Sequence, residues 1–320
     1  MLSHDKSAGD FVRPRPGSLL LLPGRFVLFY HERAVVTAAL APVHLADAPP
    51  SDPVDIGTPA DRAADHLQQL YVAYKETIGC MKKVVLSLGG SVLIPSLEEH
   101  RIARYAAVLQ EIARYARLYV VVGGGGEARS YITAARQVGC SEAAADEVGI
   151  AVTRINALLL AGGLGDAACP VIAGSQAEAM AWGATGRIVL MGGVTPAQTT
   201  DAVAAVLAER CGAALMVNLT SVDGIYTADP RIDPAAERLE RLTPEKLLEI
   251  VGTGSLMAGS NTVIDMVAAK VIQRSKIPLL VIDGRDPDNL SKALLSGDRI
   301  GSLVIGEEKD PLPIARVERT

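Results

Sequence analysis

From residue 81 onward the hydrophobic pattern repeats a unit of strand, glycine turn and helix. Lys83 to Leu88 is a continuous apolar, β-rich run that ends at Gly89-Gly90, and Glu98 to Ala116 repeats apolar residues at helical spacing. Leu118 to Val122 is a second apolar strand, which leads into glycines and a predicted helix over Glu127 to Val138. Further strands are predicted at Pro170 to Ala173, Arg187 to Met191, Ala214 to Asn218, Pro278 to Asp283 and Ser302 to Ile305.

These strands are apolar throughout rather than alternating, and helices separate most of them. That pattern is typical of a mostly parallel sheet covered by helices on both faces. We therefore predict an α/β fold, a three-layer αβα sandwich with a mostly parallel central sheet. Ligands of such sheets bind beyond the carboxyl ends of the strands.

Residues 1–80 differ in composition from the rest of the chain. They hold all three phenylalanines and four of the five histidines, and residues 41–60 are rich in Pro, Asp and Ser without a regular period. We expect a poorly structured N-terminal extension over 1–80, a domain over 81–306 and a C-terminal tail over 307–320. Because Met81 opens a strong strand, the alternative is a mis-assigned start, with the natural start at Met81.

Composition and charge exclude several classes of protein. With 21% charged and 49% apolar residues, the chain is neither disordered nor a coiled coil, and a net charge of −5 offers no basic field for nucleic acid. No apolar run approaches the roughly 18 residues of a membrane span, so we expect a soluble protein. The cysteines form no C-x-x-C, and we expect reduced thiols in the cytoplasm without a zinc site: Cys80, Cys140, Cys169 and Cys211.

Four predicted strands end in glycine-rich or small polar loops. Amides that glycine leaves unhindered at a helix N-terminus bind phosphate oxygens, so several such loops on one sheet edge indicate more than one phosphate. Any single loop is equally well explained as a tight strand–helix turn. The loops are Gly89-Gly90-Ser91, Gly123 to Gly126, Gly192-Gly193 and Asn218 to Gly224.

The chain lacks the residues of several common catalytic sites. It has no P-loop, no G-x-G-x-x-G after the first strand, no G-x-S-x-G and no H-E-x-x-H. Beyond residue 80 the sole histidine is His100, in a predicted amphipathic helix. A reaction without a general base fits better, and phosphoryl transfer to an anionic acceptor is such a reaction, since it depends on positioning and charge neutralisation.

Six motifs in order carry a resemblance to a known family. Residues 81 to about 306 resemble the amino acid kinase superfamily and, within it, the archaeal-type uridylate (UMP) kinases. One run of glycines would not be specific, whereas six ordered motifs are. They are VVLSLGGSVL from Val84, VVVGGGGEARSYI from Val120, DEVGIAVTRINALLL from Asp146, MGGVTPAQTTDAVAA from Met191, TSVDGIYTADPR from Thr220 and AGSNTVIDMVAAKVIQRS from Ala258.

The resemblance implies an amino acid kinase-like fold and the conversion of ATP and UMP to ADP and UDP in pyrimidine (CTP) biosynthesis. It also implies Mg²⁺ as cofactor and a homo-oligomer around the first helices, expected to be a hexamer. Asp201 would organise the reaction centre by way of magnesium, and the cations Arg129 and Lys270 would join it in catalysis. The implied ATP-binding residues are Ser87, Leu88, Gly89, Gly90, Ser91, Gly125, Arg129, Thr220, Ser221, Tyr226 and Asp229.

On the acceptor side, the resemblance implies that Asp146 accepts hydrogen bonds from the ribose hydroxyls of UMP. An isolated aspartate near a helix start would equally well be an N-cap. The implied UMP-binding residues are Gly124, Asp146, Val194, Thr195, Pro196, Ala197, Gln198, Thr199 and Thr200.

The sequence departs from the wider superfamily in three places. Ser87 and Thr262 stand where many members have lysine, and the archaeal branch shares the first of these absences. Arg129 and Lys270 are therefore the candidates for the cation that neutralises the transferred phosphoryl group. Ala197-Gln198 stands where the branch usually has Gly-His, which removes a titratable group but keeps hydrogen-bonding capacity.

Other functions remain open on the sequence. One is another small-molecule kinase of the superfamily, such as an acetylglutamate kinase or an isopentenyl phosphate kinase, although the latter uses a catalytic histidine. A second is a storage protein that binds ATP with molybdate or tungstate clusters, which would carry histidine-rich sites. A third is a sensor that binds UMP without turning it over.

Overall fold

The structure, a computed structural model, describes residues 79–228, 230, 233–252 and 264–314, together with the backbone of three strands nearer the N-terminus. The chain divides into two compact units, Met1–Ala63 and Ala64–Thr320. In the first unit, β1 (Leu19–Leu22), β2 (Arg25–Tyr30) and β3 (Ala34–Ala39) form an antiparallel sheet in the order β1-β2-β3.

These strands fall within the segment that the sequence predicts to be poorly structured. Their sequences are LLLL, RFVLFY and AVVTAA, and the aromatic and β-branched residues of the second and third favour strands. The Pro- and Asp-rich stretch 41–60 lies outside the described residues. The division into an extension, a domain and a tail stays a prediction.

The second unit is built on a seven-stranded sheet with the order β10-β12-β11-β7-β4-β5-β6. Neighbouring strands are parallel except for β11 and β12. A separate antiparallel pair consists of β8 (Ile225–Tyr226) and β9 (Arg238–Leu239). The sheet strands are β4 (Lys82–Leu88), β5 (Ala116–Val122), β6 (Val189–Met191), β7 (Leu215–Thr220), β10 (Arg241–Leu242), β11 (Leu279–Asp283) and β12 (Ser302–Val304).

Helices connect most of these strands, and side chains cap several of their N-termini. Ser141, Ser175, Thr199 and Asp265 each accept a hydrogen bond from a backbone N–H of the first turn that they precede. The helices are α1 (Gly90–Leu93), α2 (Ile102–Ile112), α3 (Gly125–Gln137), α4 (Glu142–Leu164), α5 (Gln176–Gly183), α6 (Thr200–Cys211), α7 (Pro244–Gly252), α8 (Met266–Ser275) and α9 (Asp288–Ser291).

Two hydrophobic clusters cover opposite faces of the sheet. On β4, Val84, Leu86 and Leu88 belong to the cluster that includes α2 and α4, whereas Val85 belongs to the cluster that includes α6 and α8. Both faces are therefore buried, which explains why the strands are apolar at most positions rather than at alternate ones. The predicted three-layer αβα sandwich with a mostly parallel sheet is confirmed.

Some predicted elements differ from the observed ones. Pro170 to Ala173 forms no strand. Isolated bridges pair Ala168 with Ile188 and Ala173 with Met191, and because the register shifts between these two bridges no continuous ladder forms along β6. Helix α2 is shorter than predicted, so that His100 lies ahead of it on an exposed turn.

Helix α4, with the turn that follows it (residues 142–167), is long and apolar enough by length and composition to cross a membrane. This is weak evidence for a span, because a core helix passes the same test. The inner side of α4 carries Ala157, Leu160 and Leu164 into the cluster beneath the sheet. Its packing is that of a helix in an α/β core.

The glycine loops after β4 and β5 contact each other through their backbones. A Cβ at Gly90 would lie 2.2 Å from the amide nitrogen of Gly125 and 2.5 Å from the carbonyl oxygen of Gly123. Gly125 has φ +68°, and a Cβ there would lie 2.7 Å from the nitrogen of Ser91. The two loops can be this close because neither has a side chain at the contact.

We expect Gly90→Ala to destabilise the protein by about 3 kcal/mol, because the added methyl group meets backbone atoms that cannot rotate away. Gly162→Ala is the matched control, since a Cβ at Gly162 in α4 meets nothing within 4 Å. It should stabilise the helix by up to about 1 kcal/mol. Urea unfolding of both variants measures the difference, and equal effects would contradict the close contact.

Candidate active site

The carboxyl ends of β4, β5, β6, β7 and β11 lie along one edge of the sheet, and backbone hydrogen bonds tie the loops that follow them. Gly89 N–H donates to Leu219 O at 3.0 Å, and Gly123 N–H donates to Leu88 O at 2.8 Å. Gly284 N–H donates to Thr220 O at 2.8 Å. The order of the strands reverses around β4, so this edge includes the switch point at which such sheets bind ligands.

A polar cluster lies at this switch point. Ser87 and Asn218 are directly opposite each other on β4 and β7, and both are buried. Asp201, in the first turn of α6, accepts a 2.6 Å hydrogen bond from the Ser87 hydroxyl and also bonds with Asn218. The N-terminus of α6 thus places the Asp201 carboxylate at the ends of β4 and β7, from which two of the predicted phosphate-binding loops start.

The environment of Asp201 disfavours its charged form. Removal of water on burial raises the pKa of Asp201 to about 6, and the negative charge of Asp265 adds to the rise. The hydrogen bonds from Ser87 and Asn218 oppose it. A carboxylate held in this way is stabilised when a cation arrives.

The loop between β6 and α6 lies along α4. Asp146, in the second turn of α4, accepts a 2.7 Å hydrogen bond from Ala197 N–H. Ala197 has φ +62°, a left-handed conformation that favours glycine, which is the residue usual in the archaeal branch. The Asp146 carboxylate therefore holds this loop in place, and it is not the N-cap of α4, which is Ser141.

The N-termini of α6 and α8 are joined by their caps. Thr199 accepts a 3.0 Å hydrogen bond from Ala202 N–H and donates its hydroxyl proton to Asp265. Asp265 in turn caps α8 by accepting from Val267 and Ala268 N–H at 2.7 and 3.0 Å. The end of the β6–α6 loop is thereby fixed to the start of α8.

The remaining residues implied to bind ATP lie at the end of β7 and beyond it. Thr220 ends the strand, Ser221 follows it, and Tyr226 in β8 donates its hydroxyl to Asp223 at 3.0 Å. Asp229 lies outside the described residues. The Leu88 side chain is fully buried in the core, so that it can offer a ligand only backbone atoms.

Both predicted cations have exposed side chains. Arg129 lies in the first turns of α3, where its guanidinium is near Gly126, and Lys270 lies in α8. Within the described part of the chain neither forms an ion pair or donates a side-chain hydrogen bond. Both charges are thus available to an anionic ligand, and their roles stay predictions.

Several residues of this edge were not predicted from the sequence. They are Thr153 and Asn156, which are polar residues inside α4, and Asp265, the N-cap of α8. Asn218 was predicted only as the start of a polar loop, not as a partner of Asp201. Asn156, which is buried, donates to Gly123 O at 2.9 Å and to Gly124 O at 3.2 Å. A polar residue within a buried apolar run was the available signal, because it needs a partner there.

A three-layer α/β domain whose strand ends carry facing glycine loops and a half-buried carboxylate defines a phosphate-binding class of protein. The model of the amino acid kinase family matches residues 82–283. The chain belongs to the amino acid kinase family.

Similar proteins within this family are named uridylate kinase. A uridylate kinase of Methanoculleus marisnigri is 62% identical over 234 residues, which are 73% of this chain and 100% of that protein, and one of Methanoregula boonei is 56% identical over the same shares. The crystal structure of uridylate kinase from Archaeoglobus fulgidus is 44% identical with a TM-score of 0.63, covering 69% of this chain and 99% of that one. The resemblance to archaeal uridylate kinases is confirmed.

The pKa of Asp201 makes stability pH-dependent. An aspartate in an unfolded chain has a pKa of about 3.9, so the native state binds this proton more tightly between about pH 4 and pH 6. The stabilisation is complete below about pH 4, is lost as the pH rises, and is absent above pH 6. Asp201→Asn should remove this dependence. Between pH 4 and pH 7 the free energy of unfolding of the wild type should therefore fall by up to about 3 kcal/mol more than that of the variant.

Urea unfolding of both proteins at four pH values between 4 and 7 measures this gain. Asp166→Asn makes the same chemical change at an exposed position, and its profile should follow the wild type. An Asp201→Asn profile parallel to the wild type would contradict the burial of this carboxylate.

Proposed function

We propose that this chain transfers the γ-phosphoryl group of ATP to UMP, with ADP and UDP as products. The observation that carries the proposal is the cluster of Asp201, Ser87 and Asn218 at the carboxyl ends of β4 and β7, on the sheet edge where the glycine loops after β4 and β5 contact each other. Relatives that are up to 62% identical are named uridylate kinase, and this name supports the proposal.

The geometry accounts for a transfer that needs no general base. UMP already presents an anionic phosphate, so the protein has to position two nucleotides and neutralise charge. The loop at Gly89–Ser91 would bind the donor phosphates, and the start of α3 at Gly124–Gly125 would lie between donor and acceptor. Arg129 and Lys270 would supply positive charge, and Thr220, Ser221 and Tyr226 would hold the adenosine of ATP.

The acceptor would lie along α4. Asp146 uses one carboxylate oxygen for Ala197 N–H, which leaves the other for ribose hydroxyls. The loop Val194–Thr200 would enclose the uridine, and Gln198 would offer its amide where the branch usually has a histidine. Because Gln198 does not titrate, acceptor binding would not depend on a histidine charge.

The polar cluster fits Mg²⁺. Asp201, Ser87 and Asn218 offer oxygen ligands, and the raised pKa of Asp201 reflects a site that favours an added cation. Among the described residues no three His, Cys, Asp or Glu side chains converge on one point. That suits a magnesium ion which keeps waters and binds mainly through phosphate oxygens. When bound, the ion would neutralise charge on the phosphates.

The alternatives have less support. An isopentenyl phosphate kinase would need a catalytic histidine, and His100 is exposed on a turn ahead of α2. A storage protein would need histidine-rich sites, which the sequence lacks beyond residue 80. The uridylate kinase relatives also disfavour an acetylglutamate kinase.

We further propose a homo-oligomer that associates through the outer side of α4. Ile155, Leu158 and Leu159 are spaced along one side of that helix, and their side chains are 53%, 58% and 44% exposed. An apolar stripe of this kind is typical of an interface. The hexamer and the pathway of CTP synthesis rest on resemblance. A cytoplasmic location fits the free thiols of the described cysteines.

The activity test is a coupled assay with ATP and magnesium against UMP, CMP, isopentenyl phosphate and acetylglutamate. We expect turnover selective for UMP, and a loss of about 10²–10³-fold in kcat in Asp201→Asn, since that change removes charge at the reaction centre. Asp166→Asn should retain wild-type activity. Tight binding of UMP without formation of UDP would instead identify a sensor.

The oligomer test is light scattering of Leu158→Glu. A charge on the outer side of α4 should reduce the molar mass to that of a smaller assembly, because it would be buried without a partner. Val171→Glu, at a residue 44% exposed outside this helix, is the control and should keep the wild-type mass. An unchanged mass in Leu158→Glu would place the interface elsewhere.

A further inference from the structure

Thr153 lies in the middle of α4, within the TRIN part of a motif in which only Asp146 has an assigned role. Its side chain is buried, with 7% of the residue exposed. The hydroxyl donates to Ile150 O at 2.6 Å and accepts from Gly193 N–H at 2.7 Å. Both the proton and a lone pair of this hydroxyl are used, so its orientation is fixed.

The bond to Gly193 fixes the start of the loop between β6 and α6. Gly193 is buried, and a Cβ at Gly192 would lie 2.4 Å from the Thr153 oxygen, so the backbone passes directly over this side chain. Farther along, Asp146 holds Ala197, and Thr199 caps α6. The loop is thus attached at its entry, middle and exit, with Thr153 at the entry.

The methyl group of Thr153 faces a different loop from the one that its hydroxyl contacts. A Cβ at Gly124 would lie 3.4 Å from the Thr153 methyl group. The hydroxyl therefore contacts the β6–α6 loop, and the methyl group contacts the loop after β5. In the described part of the chain its side chain makes no hydrogen bond with Ser87–Ser91, Thr220 or Tyr226 on the donor side.

We propose that Thr153 is a positioning residue for the acceptor, and this rests on the proposed function as a UMP kinase. Its hydroxyl holds Gly193 so that residues 194–200 form their binding conformation before UMP arrives. A loop that adopts this conformation only part of the time binds more weakly in proportion. Loss of the hydroxyl thus weakens UMP binding and leaves ATP binding unchanged.

Two variants separate the two contacts. Thr153→Val keeps the shape and the methyl contact with Gly124 but leaves the buried Gly193 N–H without its acceptor. Thr153→Ser keeps the hydroxyl and loses the methyl group. Steady-state kinetics with each substrate varied in turn, and hydrogen exchange at the Gly193 amide, measure the effect on full-length protein. Thr153→Ala replaces the valine variant if that protein does not fold.

We expect Thr153→Val to raise the KM for UMP about tenfold, to leave the KM for ATP within twofold, and to speed exchange at Gly193 by a similar factor. Thr153→Ser should resemble the wild type in all three. An unchanged KM for UMP, or equal rises for both substrates, would overturn the assignment and leave the kinase activity standing. A wild-type protein without UMP turnover would overturn the proposed function, and the assignment with it.

Discussion

The close backbone contact between the loops after β4 and β5 is the constraint on which the site depends. Gly90 and Gly125 approach so closely that no side chain fits at either position. Strand pairing brings the loops together, since β4 and β5 are parallel neighbours in full register. The backbones of both loops therefore meet at one place on the sheet edge, where the proposed function places the phosphates of donor and acceptor.

Helices α4 and α6 build the rest of the site around this contact. Helix α6 brings Asp201 to Ser87 and Asn218, and its cap joins it to α8 through Asp265. Helix α4 supplies Asp146, Thr153 and Asn156, which hold the acceptor loop and the loop after β5. Thr153 and Asn156, which are polar residues in an otherwise apolar helix, thus fix backbone segments of the two loops.

Asp201 illustrates a conflict between stability and function. Burial makes its charged form costly, so the protein is expected to lose stability as the pH rises from about 4 to about 6, at the residue that is proposed to organise transfer. Ala197 is a second local cost, because a left-handed alanine is strained where glycine would not be. Both residues lie on the sheet edge that holds the candidate site, and strained backbone and desolvated carboxylates are typical of functional sites.

The sequence by itself determined the fold class, six of the seven strands of the central sheet and the glycine loops, because continuous apolar runs and glycine turns are local signals. The two-residue strand β10 was not predicted, and the strand predicted at Pro170 to Ala173 does not form. The family also followed from sequence, since six ordered motifs are specific. Only the tertiary structure revealed the partners of Asp201, the bond from Ala197 to Asp146, and the roles of Thr153, Asn156 and Asp265. These depend on residues from 17 positions apart (Asp201 and Asn218) to 114 positions apart (Ser87 and Asp201) along the chain. Packing of distant elements decides such pairs, and no local pattern records it.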